Sequence, residues 1–205
     1  MATPAKKYIL NPNFRLTSTH LTVRWYHASG VDLVHEAMKP EAGKFVLVLR
    51  KRVQIVAYVK EAFVDFYYHD YTDFETPKAQ KWMRELLRDV IESVANRILP
   101  GRVRYWEQTT GMFGKGFEVK KLRRRVMGCC TADNRIMLQP FVVIFKPEWR
   151  DTVILHEIAH YRYKNHKKEF WDFLSRLSGT DARKAKKRMD EELTPYYDYY
   201  IFLTK

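Results

Sequence analysis

The fold is decided by the stretch Val153-Ile-Leu-His-Glu-Ile-Ala-His160, in which two histidines lie four residues apart within an apolar run. On an α-helix, positions four apart share one face, so the imidazoles of His156 and His160 project side by side. Two imidazoles placed in this way can bind one zinc ion, at about 2.0–2.1 Å. The apolar neighbours predict a buried helix, and buried histidines need a partner, which a metal supplies. The stretch therefore predicts a helix that carries a zinc centre.

Glu157 follows the first of these histidines and lies beside the predicted metal without ligating it. From there its carboxylate can take a proton from a zinc-bound water, whose pKa the metal lowers. The pattern therefore predicts a zinc-dependent hydrolase, with His156 and His160 as ligands and Glu157 as general base. The competing interpretation of the same residues is two surface histidines on an amphipathic helix.

A third protein ligand is expected, because catalytic zinc usually has three protein ligands and one open position. The leading candidate is His166, six residues after His160. Six helical residues turn about 600°, which would aim this side chain away from the first two, so the helix must end before it. We predict that end near Asn165, because asparagine tolerates the left-handed conformation that closes a helix. The weaker alternatives as third ligand are Glu169, Glu191 and Glu192.

Upstream of the motif, the chain changes in character near residue 76. The earlier part is rich in β-branched and aromatic residues, and its alternation predicts strands at residues 21–26 and 63–68. The run at residues 45–59 predicts one long strand or two short ones, with a helix as the alternative. From Thr76 a helical pattern begins, and Leu99-Pro100-Gly101 is predicted to end it.

Around the motif, strands predicted at residues 117–126 and 135–139 are joined by Asp133-Asn134 into a hairpin. The motif helix is predicted to begin at about Pro147 and to run to about Lys164, and shorter helices follow at residues 168–177 and 182–193. The prediction is an α+β fold in three parts. A β-rich part at residues 1–75, which can belong to the same domain, precedes a metallohydrolase core at residues 76–195 and an aromatic tail at residues 196–205.

The charge of the chain is compatible with an anionic partner or with a solvated basic surface. The protein has 205 residues and a formal net charge of +13. Such a charge attracts phosphate backbones, anionic surfaces and acidic substrates, although a solvated basic surface explains it equally well. A nucleic-acid partner would contact two basic clusters, which are Lys115, Lys120, Lys121, Arg123, Arg124 and Arg125, and Arg183, Lys184, Lys186, Lys187 and Arg188.

The cysteine content and the hydropathy of the chain bear on its cellular location. The two cysteines, Cys129 and Cys130, are adjacent, which provides no disulfide framework and too few ligands for a Cys-rich zinc ribbon. The N-terminal residues contain no apolar segment of signal-peptide length, and the longest apolar runs are far too short to cross a membrane. We therefore expect a cytoplasmic protein with no membrane partner, and no pattern indicates a particular oligomeric state.

The stretch Leu155-His-Glu-Ile-Ala-His-Tyr-Arg-Tyr-Lys-Asn-His-Lys-Lys-Glu-Phe-Trp171 resembles the signature of the SprT-like and YgjP/WLM-type zinc metallopeptidases. In that group the HExxH helix is followed by a third histidine after five residues, and then by an aromatic pair similar to Phe170-Trp171. Upstream, Gly128-Cys-Cys-Thr-Ala-Asp-Asn-Arg-Ile-Met-Leu138 resembles the hairpin of the group. The similarity covers residues 76–180 and is clearest at residues 125–172. Tyr163 stands where the metzincin pattern has a glycine, which disfavours that class.

The resemblance implies a zincin-like core, in which the HExxH helix packs on a small antiparallel sheet or hairpin. It implies Zn²⁺ as cofactor, held by His156, His160 and His166, with Glu157 as general acid and base. It also implies that the strand at residues 135–139 lines the cleft as an edge to which a peptide can add. One departure is Met127-Gly-Cys-Cys130, where YgjP-like members carry a Trp-Gly-Ser-Cys type of segment.

Three functions are compatible with these patterns. The leading hypothesis is a zinc metallopeptidase that acts on a protein or peptide, in which Tyr161 or Tyr163 either stabilises the oxyanion or simply packs. The second is a zinc-dependent hydrolase of phosphorylated small molecules such as nucleotides, which the basic surface would favour. The third is a nucleic-acid-associated protein whose zinc is structural.

Overall fold

A computed structural model describes residues 8–123 and 126–204. Arg124 and Arg125, two members of the first basic cluster, lie outside the described residues. The chain divides into two compact units. The first takes in Met1–Val90 with Phe202–Lys205, and the second takes in Ile91–Ile201.

The first unit is built on a four-stranded sheet of β1 (Thr22–His27), β2 (Lys44–Leu49), β3 (Arg52–Lys60) and β4 (Phe63–Tyr68), in the order β1-β4-β3-β2. β1 pairs with β4 in parallel, and the other two pairs are antiparallel. The run at residues 45–59 therefore forms two strands rather than one. Arg50 and Lys51 between them have φ of 48° and 62°, which closes a tight turn of the kind that matches strand twist. A short helix that we did not predict, α1 (Leu33–Met38), follows β1.

The long helix α2 (Pro77–Thr110) begins where the sequence predicts, and the Thr76 hydroxyl accepts a hydrogen bond from the Ala79 amide at 3.3 Å. The predicted end at Leu99-Pro100-Gly101 is wrong, because the helix continues through Pro100. Its apolar stripe also continues, through Ile91, Ala95, Leu99 and Val103, which are at most 2% exposed. Burial of such side chains, at about 1.5–3 kcal/mol for each large one, offsets the roughly 3 kcal/mol that an internal proline costs.

The second unit contains a three-stranded sheet of β5 (Gly116–Val119), β6 (Gly128–Cys130) and β7 (Arg135–Leu138), in the order β5-β7-β6. The predicted strand at residues 117–126 is wrong at the described residues 120–123 and 126, which are not strand, whereas residues 124 and 125 lie outside the described residues. β5 pairs with β7 in parallel rather than as a hairpin. The hairpin is formed by β6 and β7, with Asn134 at φ 65° in the turn. The sheet is thus mixed rather than antiparallel. β7 is central, so the expectation that it forms the edge of the cleft is also wrong.

Among the described residues, a 3-10 helix (Pro140–Ile144) and two α-helices, α3 (Pro147–Ala159) and α4 (Lys168–Ser178), lie in the second unit, together with most of α5 (Ala182–Thr204). Arg102 of α2 forms a two-pronged ion pair with Asp151 of α3, with 2.7 Å between Nε and Oδ1. α3 packs on β6 and on α4, and the helix pair shares a core of Leu155, Ala159, Phe170, Phe173 and Leu174. α5 is longer than predicted, because its helical backbone continues through the aromatic segment to Thr204.

These elements confirm the predicted α+β class, because the chain combines helices with strands that form small mixed sheets. Among the described residues, no helix combines the length and the apolar character needed to cross a bilayer.

Candidate metal centre

Three imidazoles converge at the end of α3. His156 lies on the last turn of the helix, His160 follows its last residue, and His166 lies in the loop before α4. Their ligand atoms all lie within 4.8 Å of one another, and Nε2 of His156 is 2.9 Å from Nε2 of His166. The three histidines that the sequence analysis singled out are therefore brought together, as a donor set open to one shared ion.

The chain turns back to His166 earlier than predicted. α3 ends at Ala159, whose carbonyl accepts hydrogen bonds from the amides of Arg162 and Tyr163 at 3.2 and 3.1 Å. The predicted break near Asn165 is wrong, because that residue is not among those with positive φ. The Asn165 side chain instead accepts a hydrogen bond from the Lys167 amide, at the approach to α4. The helix can end without a left-handed residue because amides of the turn occupy the carbonyl groups of its last three residues, Glu157, Ile158 and Ala159.

Hydrogen bonding orients two of the imidazole-bearing segments. Nδ1 of His160 donates to the Tyr163 carbonyl over 2.8 Å, so Nε2 keeps the lone pair with which a histidine binds metal. Tyr163 thus acts on the site through its backbone. Trp171 Nε1 donates to the His166 carbonyl at 3.0 Å, and this contact holds the third histidine in place.

The electrostatics of the three rings also suit metal binding, which requires neutral imidazole. Burial, together with the neighbouring His160 and His166, lowers the pKa of His156 to about 3. Burial lowers the pKa of His160 and of His166 as well. The 2.9 Å between the Nε2 atoms of His156 and His166 is shorter than the roughly 3.3 Å between donors on a tetrahedral zinc, so these two rings would move apart by a few tenths of an ångström to share an ion.

Phe170 forms the floor under the three histidines. It is fully buried, and its ring centroid lies 4.9, 4.6 and 4.7 Å from those of His156, His160 and His166. Lys164 ties the loop to the turn between β6 and β7, since its ammonium donates to the Thr131 carbonyl at 2.9 Å. The loop that carries the third histidine is therefore held by contacts both to α4 and to this turn.

Glu157 lies buried beside the histidines, with 5% of its surface exposed. Burial raises the pKa of its carboxyl group to about 8. β6 passes directly over it, because a Cβ added at Gly128 would lie 2.7 Å from Oε1 of Glu157. The glycine of the Gly-Cys-Cys segment therefore leaves room for this side chain, which any larger residue at position 128 would push aside.

Glu107 holds Tyr161, the neighbour of His160 in the chain, and the sequence did not indicate this role because Glu107 lies beyond the point where α2 was predicted to end. Its Oε1 accepts hydrogen bonds from the Tyr161 hydroxyl at 2.8 Å and from the Gly114 amide at 2.9 Å. Tyr161 is thereby held against Gly114, where a Cβ would lie 2.2 Å from the hydroxyl oxygen. The run of glycines at 111, 114 and 116 was the available signal of a close approach there.

The cysteines, Glu192 and the second basic cluster make contacts outside the histidine cluster. Cys129 and Cys130 are half-buried free thiols, and burial raises the pKa of each, so both are protonated near neutral pH. Glu192, a weaker candidate for third ligand, accepts hydrogen bonds from Lys146 and from the Trp149 indole at 2.9 and 3.0 Å. Much of the second basic cluster is paired, as in the contact between Lys186 and Asp190 at 2.6 Å.

A cavity of about 540 Å³ opens beside the histidines. His156, Glu157 and His166 line one side of it. Much of the other wall is apolar and includes Met127, Val153, Leu174, Ala182, Ala185 and Met189. A space of this size and polarity can take up an apolar group next to the three histidines.

Comparison with known proteins finds one family. A family model described as YgjP-like, metallopeptidase domain matches residues 28–192. The match starts well before residue 76, where the resemblance read from the sequence begins, and so takes in most of the first unit. No curated protein and no solved structure matches at a significant level.

Proposed function

The chain belongs to the YgjP-like metallopeptidase family, and from this premise we propose that it is a zinc-dependent peptidase. In the proposal His156, His160 and His166 hold the zinc ion and Glu157 is the general base. The observation that carries it is the convergence of three imidazoles, with donor atoms within 4.8 Å of one another, beside the buried carboxyl group of Glu157. Family membership implies a metal, and three nitrogen donors are a ligand set that suits zinc.

Glu157 has the properties that proton transfer needs. When bound, the metal supplies a Lewis acid that lowers the pKa of a water molecule and polarises the substrate carbonyl. Burial holds the carboxyl pKa near 8 in the metal-free protein, within the range where a group both takes and releases protons at neutral pH. In the proposal Glu157 removes a proton from the attacking water and passes it to the leaving amine.

β6 is the strand to which a peptide substrate would add. Of the strands that the structure describes, β7 is its one partner, and β6 packs on α3. Its other edge can pair with an extended peptide by main-chain hydrogen bonds. Since Met127 and Gly128 also line the cavity, a peptide on β6 can place an apolar side chain there.

A second candidate, hydrolysis of a phosphorylated small molecule, is favoured by Lys186. This ammonium lies in the cavity wall, and its charge contributes to the lowered pKa of His156 and His166. It would attract an anionic group towards the metal centre. However, Lys186 already pairs with Asp190, and much of the cavity wall is apolar, so we rank the peptide first.

The deciding experiment compares substrates and variants in one assay. Purified protein is loaded with zinc and offered unfolded casein and, separately, nucleoside triphosphates, with and without a chelator. We expect chelator-sensitive cleavage of casein that Glu157→Gln abolishes while zinc content is unchanged. Glu92→Gln, which changes an exposed carboxylate on α2, serves as the matched control and should retain activity. Hydrolysis of the triphosphates alone would replace the peptidase with the second candidate.

A further inference from the structure

A second set of metal-binding side chains lies in the first unit, far along the chain from the HExxH motif. β1 and β4 run in parallel, and their register pairs His27 with Tyr68. The carboxyl ends of the two strands therefore meet, and His69 and Asp70 follow β4 directly at that point. We propose that His27, His69 and Asp70 form a second binding site, for one divalent transition-metal ion such as Zn²⁺.

The donor atoms are already gathered. One ligand atom from each of the three residues lies within 4.8 Å of the others. Nε2 of His27 is 2.7 Å from Oδ1 of Asp70, a contact that needs a proton between the two acceptor atoms. A metal ion can take the place of that proton, with the imidazole nitrogen and the carboxylate oxygen as ligands.

The Ser29 hydroxyl can hydrogen-bond to His27 both when its Nε2 carries a proton and when its Nε2 binds a metal ion. Its hydroxyl lies 2.6 Å from Nδ1 of the ring. A hydroxyl can donate or accept, so it can donate to Nδ1 while Nε2 carries the proton, and accept from Nδ1 when Nε2 binds metal. Metal-binding histidines usually donate their second ring N–H to such a partner.

His69 is held by Tyr71 and Thr72, whose hydroxyl groups donate hydrogen bonds to carbonyl groups of β3. Its ring stacks on Tyr71, with centroids 4.9 Å apart and planes 11° apart, and the Tyr71 hydroxyl donates to the Val53 carbonyl at 3.1 Å. Its amide donates to the Thr72 hydroxyl at 3.0 Å. The imidazole therefore faces His27 from a supported position, with 5.9 Å between the ring centroids.

The donors define the class of ion. Two imidazoles and one carboxylate suit zinc and related divalent transition metals, whereas calcium and magnesium prefer all-oxygen sites. The Asp70 side chain is 86% exposed, which leaves room for water to complete the coordination. We expect this site to bind more weakly than the buried histidine cluster of the second unit, because its ligands lose more freedom on binding.

Metal stoichiometry tests the proposal. The full chain is stripped with a chelator and titrated with Zn²⁺ by calorimetry, and bound metal is counted by elemental analysis after desalting. We expect two equivalents for the wild type and one for His69→Ala, with His35→Ala of α1 as the exposed-histidine control that keeps two. Asp70→Asn, which preserves shape, should weaken the same equivalent.

The outcomes separate this site from the peptidase centre. His160→Ala should lose the tighter equivalent and His69→Ala the weaker one, and His69→Ala should keep the casein cleavage of the wild type. Thermal unfolding in chelator checks that the variants are folded. A wild type that binds one equivalent, retained in His69→Ala, would overturn the second site. One equivalent that His69→Ala removes and His160→Ala keeps would uphold it and overturn the peptidase centre instead.

Discussion

Gly128 and Glu157 are in such close contact that a larger residue at position 128 would displace the side chain of the base of the proposed reaction. A Cβ at Gly128 would lie 2.7 Å from Oε1, 2.8 Å from Cγ and 2.9 Å from Cδ of Glu157. Atoms this close must move apart, and the strand backbone is less free to move than the side chain. The glycine therefore determines where the carboxyl group of Glu157 can lie relative to the three histidines.

Gly128→Ala should displace Glu157 and reduce hydrolysis without removing zinc. General bases contribute about 10²–10⁴-fold to rate, so we expect kcat to fall by at least about 10²-fold. The measurement is casein-peptide cleavage together with zinc content. Gly101→Ala is the matched control, because a Cβ there meets nothing within 4 Å. Unchanged kcat in Gly128→Ala would show that the carboxyl position does not matter.

The stability of the metal-free protein should fall as pH rises towards 8. The folded state holds the proton of Glu157 with a pKa of about 8, raised by burial from 4.5, so between these values it binds more protons than the unfolded chain. Stability is then lost with rising pH, by up to about 1.4 kcal/mol per pH unit. His156 has the opposite effect between about 3 and 6.5, so the net fall from this pair is expected from about pH 6.5 to 8.

Glu157→Gln isolates that effect. Because glutamine does not titrate, the variant should gain stability relative to the wild type as pH rises from 6.5 to 8. Urea unfolding in the presence of a chelator at several pH values gives the difference in free energy, and Glu92→Gln serves as the exposed control. Parallel curves for Glu157→Gln and the wild type would contradict the raised pKa.

Tyr161→Phe should lower the free energy of unfolding, with only a small effect on kcat. The hydroxyl donates to Glu107 at 2.8 Å, and its loss leaves a part-buried carboxylate short of a donor, at a cost of about 1–3 kcal/mol. Unfolding by urea gives the free-energy change, and kcat is measured on the same sample. Tyr163→Phe should change both values less, because Tyr163 serves the site through its backbone carbonyl. A fall in kcat of about 10²-fold with normal stability would instead make Tyr161 an oxyanion donor.

Ala185→Trp should alter substrate preference by filling the cavity beside the metal centre. Ala185 lines that cavity, where a large apolar side chain of the substrate would lie. We expect kcat/KM to fall for peptides with Leu or Phe next to the cleaved bond, and to change little for peptides with Ala or Gly there. Cleavage of a peptide mixture, read by mass spectrometry, gives the preference, and Lys187→Trp on the exposed side of α5 is the control. The same preference in both variants would remove the cavity from substrate binding.

The sequence by itself determined the features that follow from local periodicity. Four-residue spacing puts His156 and His160 on one helical face, and the same helical geometry requires a turn before His166 can join them. The α+β class likewise follows from local patterns, whereas residues 45–59 are compatible with one long strand, two short strands or a helix, and the structure shows that they form two antiparallel strands.

Only the tertiary structure decided the features that depend on residues far apart in the chain. α2 passes Pro100 because its apolar stripe is buried by distant residues, and this extension brings Glu107 to Tyr161. The pairing of β5 with β7 leaves β6 as the edge over Glu157, and the pairing of β1 with β4 brings His27 to Asp70. No local pattern records such contacts, because their free energy comes from surfaces that meet only when the chain has folded.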